Sequence, residues 1–281
     1  MIALAATLHD TSGALASLVR RTLPVLGACY PGGIAVTVSP STHARVRAVL
    51  EDAGAFAGSP SANARGPLYR LAVRAALGRR PDHVHYLDFD RAVHWAAYQP
   101  RVLKSFVRRA RRYEVLLLGR TEKAHRSHHR PLYATEAVVN RLLADRLGWS
   151  GRVDFLVPSF VLQRDAARAF LRRSRARDES MYGEWAAIVA TLVPSLSYVE
   201  CGALDWETPD RHRRAVRRLG LVRWRARQET APEWTARIAM AETIVSGFER
   251  VMRRAGSPAS MTRLRPSGST RVHEPLTSPS R

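Results

Sequence analysis

Apolar runs of strand length alternate with helix-period runs at the amino end, and this constrains the fold more than any other feature of the chain. "IALAATL" (2–8) is an unbroken apolar run, and "HDTSG" after it gathers turn and N-cap residues. "ALASLVRRTLPVLGACY" then has helical spacing, with a break or kink expected near Pro24. "GIAVTVS" (33–39) is a second strand. It leads into "PSTHARVRAVLEDAG", a helix with a Ser/Thr start and a stop at Gly54. Parallel neighbours need a crossover between them, so this alternation is the grammar of a parallel sheet. The expected fold class is α/β: a mostly parallel central sheet flanked by helices, Rossmann-like, with a helical C-terminal part.

The same grammar continues. "AFAGSPSANARGP" (55–67) is a loop by composition, "LYRLAVRAALG" a helix rich in small residues and "HVHYLDFD" a strand. "AVHWAAYQPRVLKSFVRRARR" is helical with a break at Pro100, and "YEVLLLG" (113–119) is a buried strand. "RTEKAHRSHHRP" reads as a polar loop, "LYATEAVVNRLLADRLG" as an amphipathic helix, and "VDFLVPSFVLQRDAARAFLRRS" as a short strand before a helix. "GEWAAIVATLV" is helical, "SLSYVECGAL" a strand, and "PDRHRRAVRRLG" and "PEWTARIAMAETIVSGFERVMRRAG" are helices. The expected division is a sheet domain over 1–210, C-terminal helices packing on it over 211–255, and a disordered basic tail over 256–281.

Composition narrows the function classes. No apolar run reaches the roughly 20 residues needed to cross a bilayer. The amino end lacks a basic n-region and meets His9 and Asp10 too soon for a signal peptide. Cys29 and Cys201 give neither a disulfide framework nor zinc spacing, which makes a cytoplasmic setting the expectation. The net charge of +21 is almost all arginine, lysine occurring only at Lys104 and Lys123. Such a surface attracts phosphorylated ligands, nucleic acid or anionic lipid. The arginines are scattered and no zinc-finger, helix-turn-helix or RNP motif occurs, which argues against nucleic acid.

"DHVHYLDFDRAVHW" (82–95) raises the chemical question. A buried-strand pattern ends in Asp88 and Asp90, and ligands of parallel sheets bind beyond the carboxyl ends of strands. On an extended chain residues i and i+2 face one way, so both carboxylates meet one site and Phe89 turns away. Two oxygen ligands with positions left for phosphate oxygens suit Mg²⁺ or Mn²⁺. The competing reading makes the pair a helix N-cap and a first-turn acid before "RAVHWAAY". His83 and His85 read as strand histidines satisfied by neighbours, and His94 as a helix-face histidine. His125, His128 and His129 read as part of a solvated loop, and Trp206 as a core anchor or a sugar-stacking ring.

The order of features resembles the GT-A nucleotide-sugar glycosyltransferases, especially their large inverting family with an Asp-any-Asp pair after a central strand. "IALAAT" resembles the first strand, and "IAVTVSPSTH" stands in the place of the second strand and its turn. "NARGPLYRLAVRAALGRRPDHVHYLDFD" parallels the glycine-bearing loop, helix, strand and acidic pair, and "GEWAAIVATLVPSLSYVECGALDWET" the carboxylate-bearing helix and the following strand. The resemblance implies transfer of a sugar from a nucleotide-diphosphate donor to an acceptor. It places Asp88 and Asp90 on Mn²⁺ or Mg²⁺ and the diphosphate, Gly66 and Arg70 along the donor, and Thr7 and Ser39 in the nucleotide pocket. Glu184 is the first and Asp154 the second candidate for the carboxylate that takes the acceptor proton. The family carries an aspartate at the end of its second strand where this chain has Ser39, which leaves a non-catalytic member as an alternative.

Two further alternatives come from other classes. A metal-dependent phosphohydrolase of the haloacid type wants Thr or Val where this chain has Ala92. A basic protein that binds nucleic acid or a membrane surface needs no reaction at all, and peripheral contact with anionic membrane is compatible with a transferase too.

Overall fold

The computed structural model describes residues 1–61, 64–194 and 196–254. The expected basic tail lies outside the described residues. β1 (Ile2–Leu8), β2 (Ile34–Val38) and β3 (Phe56–Gly58) pair in parallel, with α1 (Ala16–Cys29) and α2 (Ala44–Asp52) as crossovers. α3 (Arg65–Gly78) returns the chain to β4 (His83–Tyr86), which lies parallel to β1 on its other side. α4 (Phe89–Tyr98) and α5 (Pro100–Ala110) lead to β5 (Val115–Arg120), then α6 (Glu122–Ser127) and α7 (Arg130–Arg146) to β6 (Phe160–Gln163). α8 (Arg164–Arg173), α9 (Met181–Ala190) and β7 (Ser197–Cys201) follow. A 3-10 turn (Thr208–His212), α10 (Arg213–Leu219), α11 (Leu221–Ala226) and α12 (Ala231–Arg254) end the described chain.

The seven strands order as β3-β2-β1-β4-β6-β5-β7. Only β6 runs against its neighbours, pairing antiparallel with β4 and with β5, so the α/β, mostly parallel expectation holds. Strand alternation divides the core in two. Ile2, Leu4, Ala6 and Leu8 of β1 face one apolar layer with α1, α2, α4 and α5. Ala3 and Ala5 face the other, with α3, α7, α8, α9 and α12. Those two alanines leave room for aromatic rings: Tyr86 stacks between Tyr69 and Phe160, with centroids 5.5 Å away on each side, and meets Trp185 edge-on at 5.1 Å.

Three local expectations are corrected. Residues 55–67 are not all loop: Phe56–Gly58 adds an edge strand, and α3 begins at Arg65. α1 runs through Pro24, whose ring sits on the exposed side where a helix tolerates it best. "RTEKAHRSHHRP" is not a solvated loop. Thr121 caps α6, His129 caps α7, and His125, His128 and His129 are buried, each with one ring nitrogen bonded: to Glu136, to the Ala124 carbonyl and to the Leu132 amide.

Candidate functional site

The parallel strands β1, β2 and β4 end on the same side of the sheet, and their carboxyl ends open into a cavity of about 590 Å³. Thr7 and His9 line it from β1, Ser39 from β2, and Asp88, Asp90 and Arg91 from the β4–α4 junction. The starts of α3 and α9 add Arg65, Tyr69, Glu179 and Tyr182, and Glu136 comes from α7. The 3-10 turn and α12 close the rim with Arg211, His212 and Arg237. Four sequence-predicted residues, Thr7, Ser39, Asp88 and Asp90, are therefore brought together.

The acidic pair is built differently from a plain strand end. β4 stops at Tyr86, Asp88 holds the N-cap position of α4 and Asp90 lies in its first turn. Asp88 makes no side-chain cap bond; its Oδ1 instead accepts from Tyr86 OH at 3.1 Å and Thr7 Oγ1 at 3.3 Å. The Thr7 and Tyr86 hydroxyls share a bond of 2.9 Å. The two-residue alternation thus relates Asp88 to Tyr86, while Asp90 reaches the same cavity from the first helical turn. Phe89 is buried in the opposite core. Asp90 accepts from the Arg91 amide at 3.0 Å and from Arg211 Nη2 at 2.5 Å. Ser39 Oγ bonds His9 Nδ1 at 2.7 Å and Thr42 Oγ1 at 3.0 Å, so an imidazole and hydroxyls occupy the end of β2.

Negative charge is crowded here. Burial first, and then the neighbouring Asp90 charge, push the Asp88 carboxyl up to about 7. Burial also raises Glu207, against the pull of Arg91, whose Nη1 lies 3.2 Å from Glu207 Oε2. Neither of those two atoms has a hydrogen-bond partner among the described residues. Two carboxylates facing one cavity are oxygen donors that fit a hard divalent ion, which would take the place of Arg211 on Asp90. Among the described residues no group of three or more His, Cys, Asp or Glu is gathered for a metal, so the remaining ligands would come from a bound molecule.

Four predicted residues lie outside this lining. Asp154 is fully buried and clamped by Arg120, Nε to Oδ2 at 2.6 Å and Nη2 to Oδ1 at 3.0 Å, with Asn140 adding a bond at 2.9 Å. Burial opposes its charge, but the Arg120 guanidinium outweighs burial and holds the carboxyl far below the usual range. A carboxylate held this way does not accept a proton. Glu184 is buried too, accepting from Ser174 Oγ at 2.8 Å and from the Arg175 and Ala176 amides at 2.7 and 2.9 Å. It organises the segment before α9. Gly66 and Arg70 meet the same segment. A Cβ on Gly66 would stand 1.9 Å from the Ala176 carbonyl oxygen, and Arg70 Nη1 donates to that oxygen at 2.6 Å. Gly66 is thus pressed against the protein's own backbone and is not part of the cavity lining.

Other lining residues were missed by sequence reasoning. Arg91 directly follows the acidic pair and so carried a local signal. Arg211 and Arg237 reach the cavity from far along the chain and carried none. His85 and His94 are satisfied by neighbours: His85 bonds Tyr30 and Ser159, and His94 bonds Asp210 at 2.8 Å and Asp205 at 3.2 Å. Trp206 is buried against Trp224, with centroids 5.0 Å apart, and anchors the core.

No family model matches the chain, and no curated protein sequence matches it either. A solved structure with a similar fold is mannosyl-3-phosphoglycerate synthase from Rubrobacter xylanophilus. It is 15% identical, with a TM-score of 0.55, over 95% of this chain and 78% of that one. The fold is GT-A-like. At that identity the likeness is one of architecture, and the chemistry has to be argued from the cavity.

Proposed function

We propose that this chain is a glycosyltransferase that moves a sugar from a nucleotide-diphosphate donor to an acceptor, using Mn²⁺ or Mg²⁺ held by Asp88 and Asp90. The observation that carries the reading is the convergence of Thr7, Ser39, Asp88 and Asp90 on one cavity at the carboxyl ends of three parallel strands. Its volume suits a nucleotide-sized ligand. The solved glycosyltransferase of similar fold supports the class. Thr7, Ser39 and His9 would meet the nucleoside, and Arg65, Arg211 and Arg237 supply guanidinium groups of the kind that pair with phosphate. When bound, the cation would neutralise charge on the departing diphosphate. With Asp154 and Glu184 committed elsewhere, and Glu136 paired with Arg120 and His125, the lining carboxylate left to meet an acceptor hydroxyl is Glu179. A reducing, cytoplasmic setting belongs to the proposal, in keeping with the free, buried Cys29 and Cys201.

Calorimetric titration with uridine and guanosine diphosphates, with and without Mn²⁺, tests this. Binding is expected for at least one nucleotide, tighter with the metal, and Asp88→Ala is expected to weaken it at least about tenfold, in line with loss of a metal ligand. Absence of any nucleotide or metal response in the unaltered protein would overturn the proposal.

A further inference from the structure

Directly after the cavity rim the chain forms a surface that nucleotide binding does not use. The 3-10 turn that supplies Thr208, Arg211 and His212 to the cavity runs into α10, which has no buried residue. Gly220, with φ of 77°, turns the chain into α11. One side chain anchors this hairpin: Trp224 is 5% exposed and packs on Trp206 and on His212, with ring centroids 5.0 and 5.3 Å away. Around it Arg214, Arg217, Arg218, Arg223 and Arg227 are exposed, and none of the five is in an ion pair with a described residue. At the joint between the helices Leu221 and Val222 are 50% and 73% exposed.

Five exposed guanidinium groups without an ion pair among the described residues, around an exposed aliphatic pair, suit a partner that is both anionic and apolar. A membrane leaflet with acidic lipids offers phosphate at one depth and acyl chain just beneath it. Arginine suits that boundary, because its stem lies on apolar surface while its head stays with phosphate. Nucleic acid would satisfy the arginines alone. It gains nothing from Leu221 and Val222, and the exposed residues of the hairpin include no aromatic ring for base stacking.

We infer that the α10–α11 hairpin docks this protein on an anionic membrane surface, with Leu221 and Val222 inserted at the acyl boundary and the surrounding arginines at phosphate level. Arg211 and His212 begin the same segment, so docking brings the rim of the cavity to the membrane. The inference stands independently of the sugar-transfer reading.

Vesicle flotation of the full chain tests it, with phosphatidylcholine vesicles prepared with and without phosphatidylglycerol. The protein is expected to float only with the anionic vesicles and to be released by salt. Leu221→Ser with Val222→Ser is expected to weaken binding at least about tenfold. Arg217→Gln with Arg218→Gln is expected to cost about fivefold per charge. All four side chains are exposed, so both variants should melt with the unaltered protein. Failure to float with anionic vesicles overturns the inference. So does flotation that both double variants retain in full, which would place the contact on another face. DNA or RNA binding that the arginine variant loses and the aliphatic variant keeps, without vesicle binding, assigns the surface to nucleic acid instead.

Discussion

Glu184 shows how a carboxylate can look catalytic in one dimension and be structural in three. It sits in "YGEW" on a helix where the GT-A resemblance expects an acid, yet both of its oxygens are spent on Ser174, Arg175 and Ala176. Replacing it with alanine would strand the buried Ala176 N–H, the part-buried Arg175 N–H and the Ser174 hydroxyl, so Glu184→Ala should lose about 2–4 kcal/mol in urea unfolding. Glu184→Gln keeps an acceptor oxygen and should stay within about 1 kcal/mol while nucleotide binding is unchanged. A proton-accepting role would reverse that pattern, with a stable glutamine variant that no longer turns over. Asp154 belongs to the same class, its charge consumed by Arg120.

At the scale of elements, the crossing of α9 and α12 holds one wall of the cavity. "MYGEWAAIVA" is apolar almost all round, which marks a helix covered on every side. α12 supplies much of that cover through Ile244, Phe248, Val251 and Met252. Two glycines set the approach: a Cβ on Gly183 would stand 1.8 Å from the Ile244 carbonyl oxygen, and one on Gly247 would stand 2.0 Å from that of Ser180. Backbone lies on both sides, so no flexible side chain can yield. Alanine favours a helix over glycine by about 1 kcal/mol. Overpacking should outweigh it, so Gly247→Ala should lower stability by a net of up to about 2 kcal/mol in denaturant midpoints. Tyr182 and Ile244 line the cavity, so the same variant should also weaken nucleotide binding.

For the whole molecule, two histidines shape stability against pH from opposite sides. Burial lowers His85 to about 3, so between roughly pH 6.5 and that value the unfolded chain binds a proton the native one refuses. Stability should therefore fall with acidification, at up to about 1.4 kcal/mol per pH unit from this group. Burial works against charge at His94 as well, but Asp205 and Asp210 together outweigh it and raise the imidazole to about 9. Its contribution is complete below about pH 6.5 and is lost as pH climbs through about 9. Thermal unfolding across that range should show declines on both sides of about pH 6.5, and His94→Gln should flatten the alkaline side only.

Much of the sheet was legible in the sequence alone, because strand and helix periods are short-range and survive in one dimension. The first four elements, the acidic pair after β4 and the break at Pro100 all declared themselves that way. Tertiary structure decided which polar groups share a site. Arg211 meets Asp90 from 121 residues away, and Arg120 takes Asp154 out of reach from 34 away; neither contact leaves a periodic trace. The histidines of 125–129 looked solvent-facing because their type is polar, and only the packing of α7 and Trp206 against them buries them. Periodicity records which face of an element is buried. Which charges then end up beside one another depends on contacts between distant segments, and those exist only once the chain has folded.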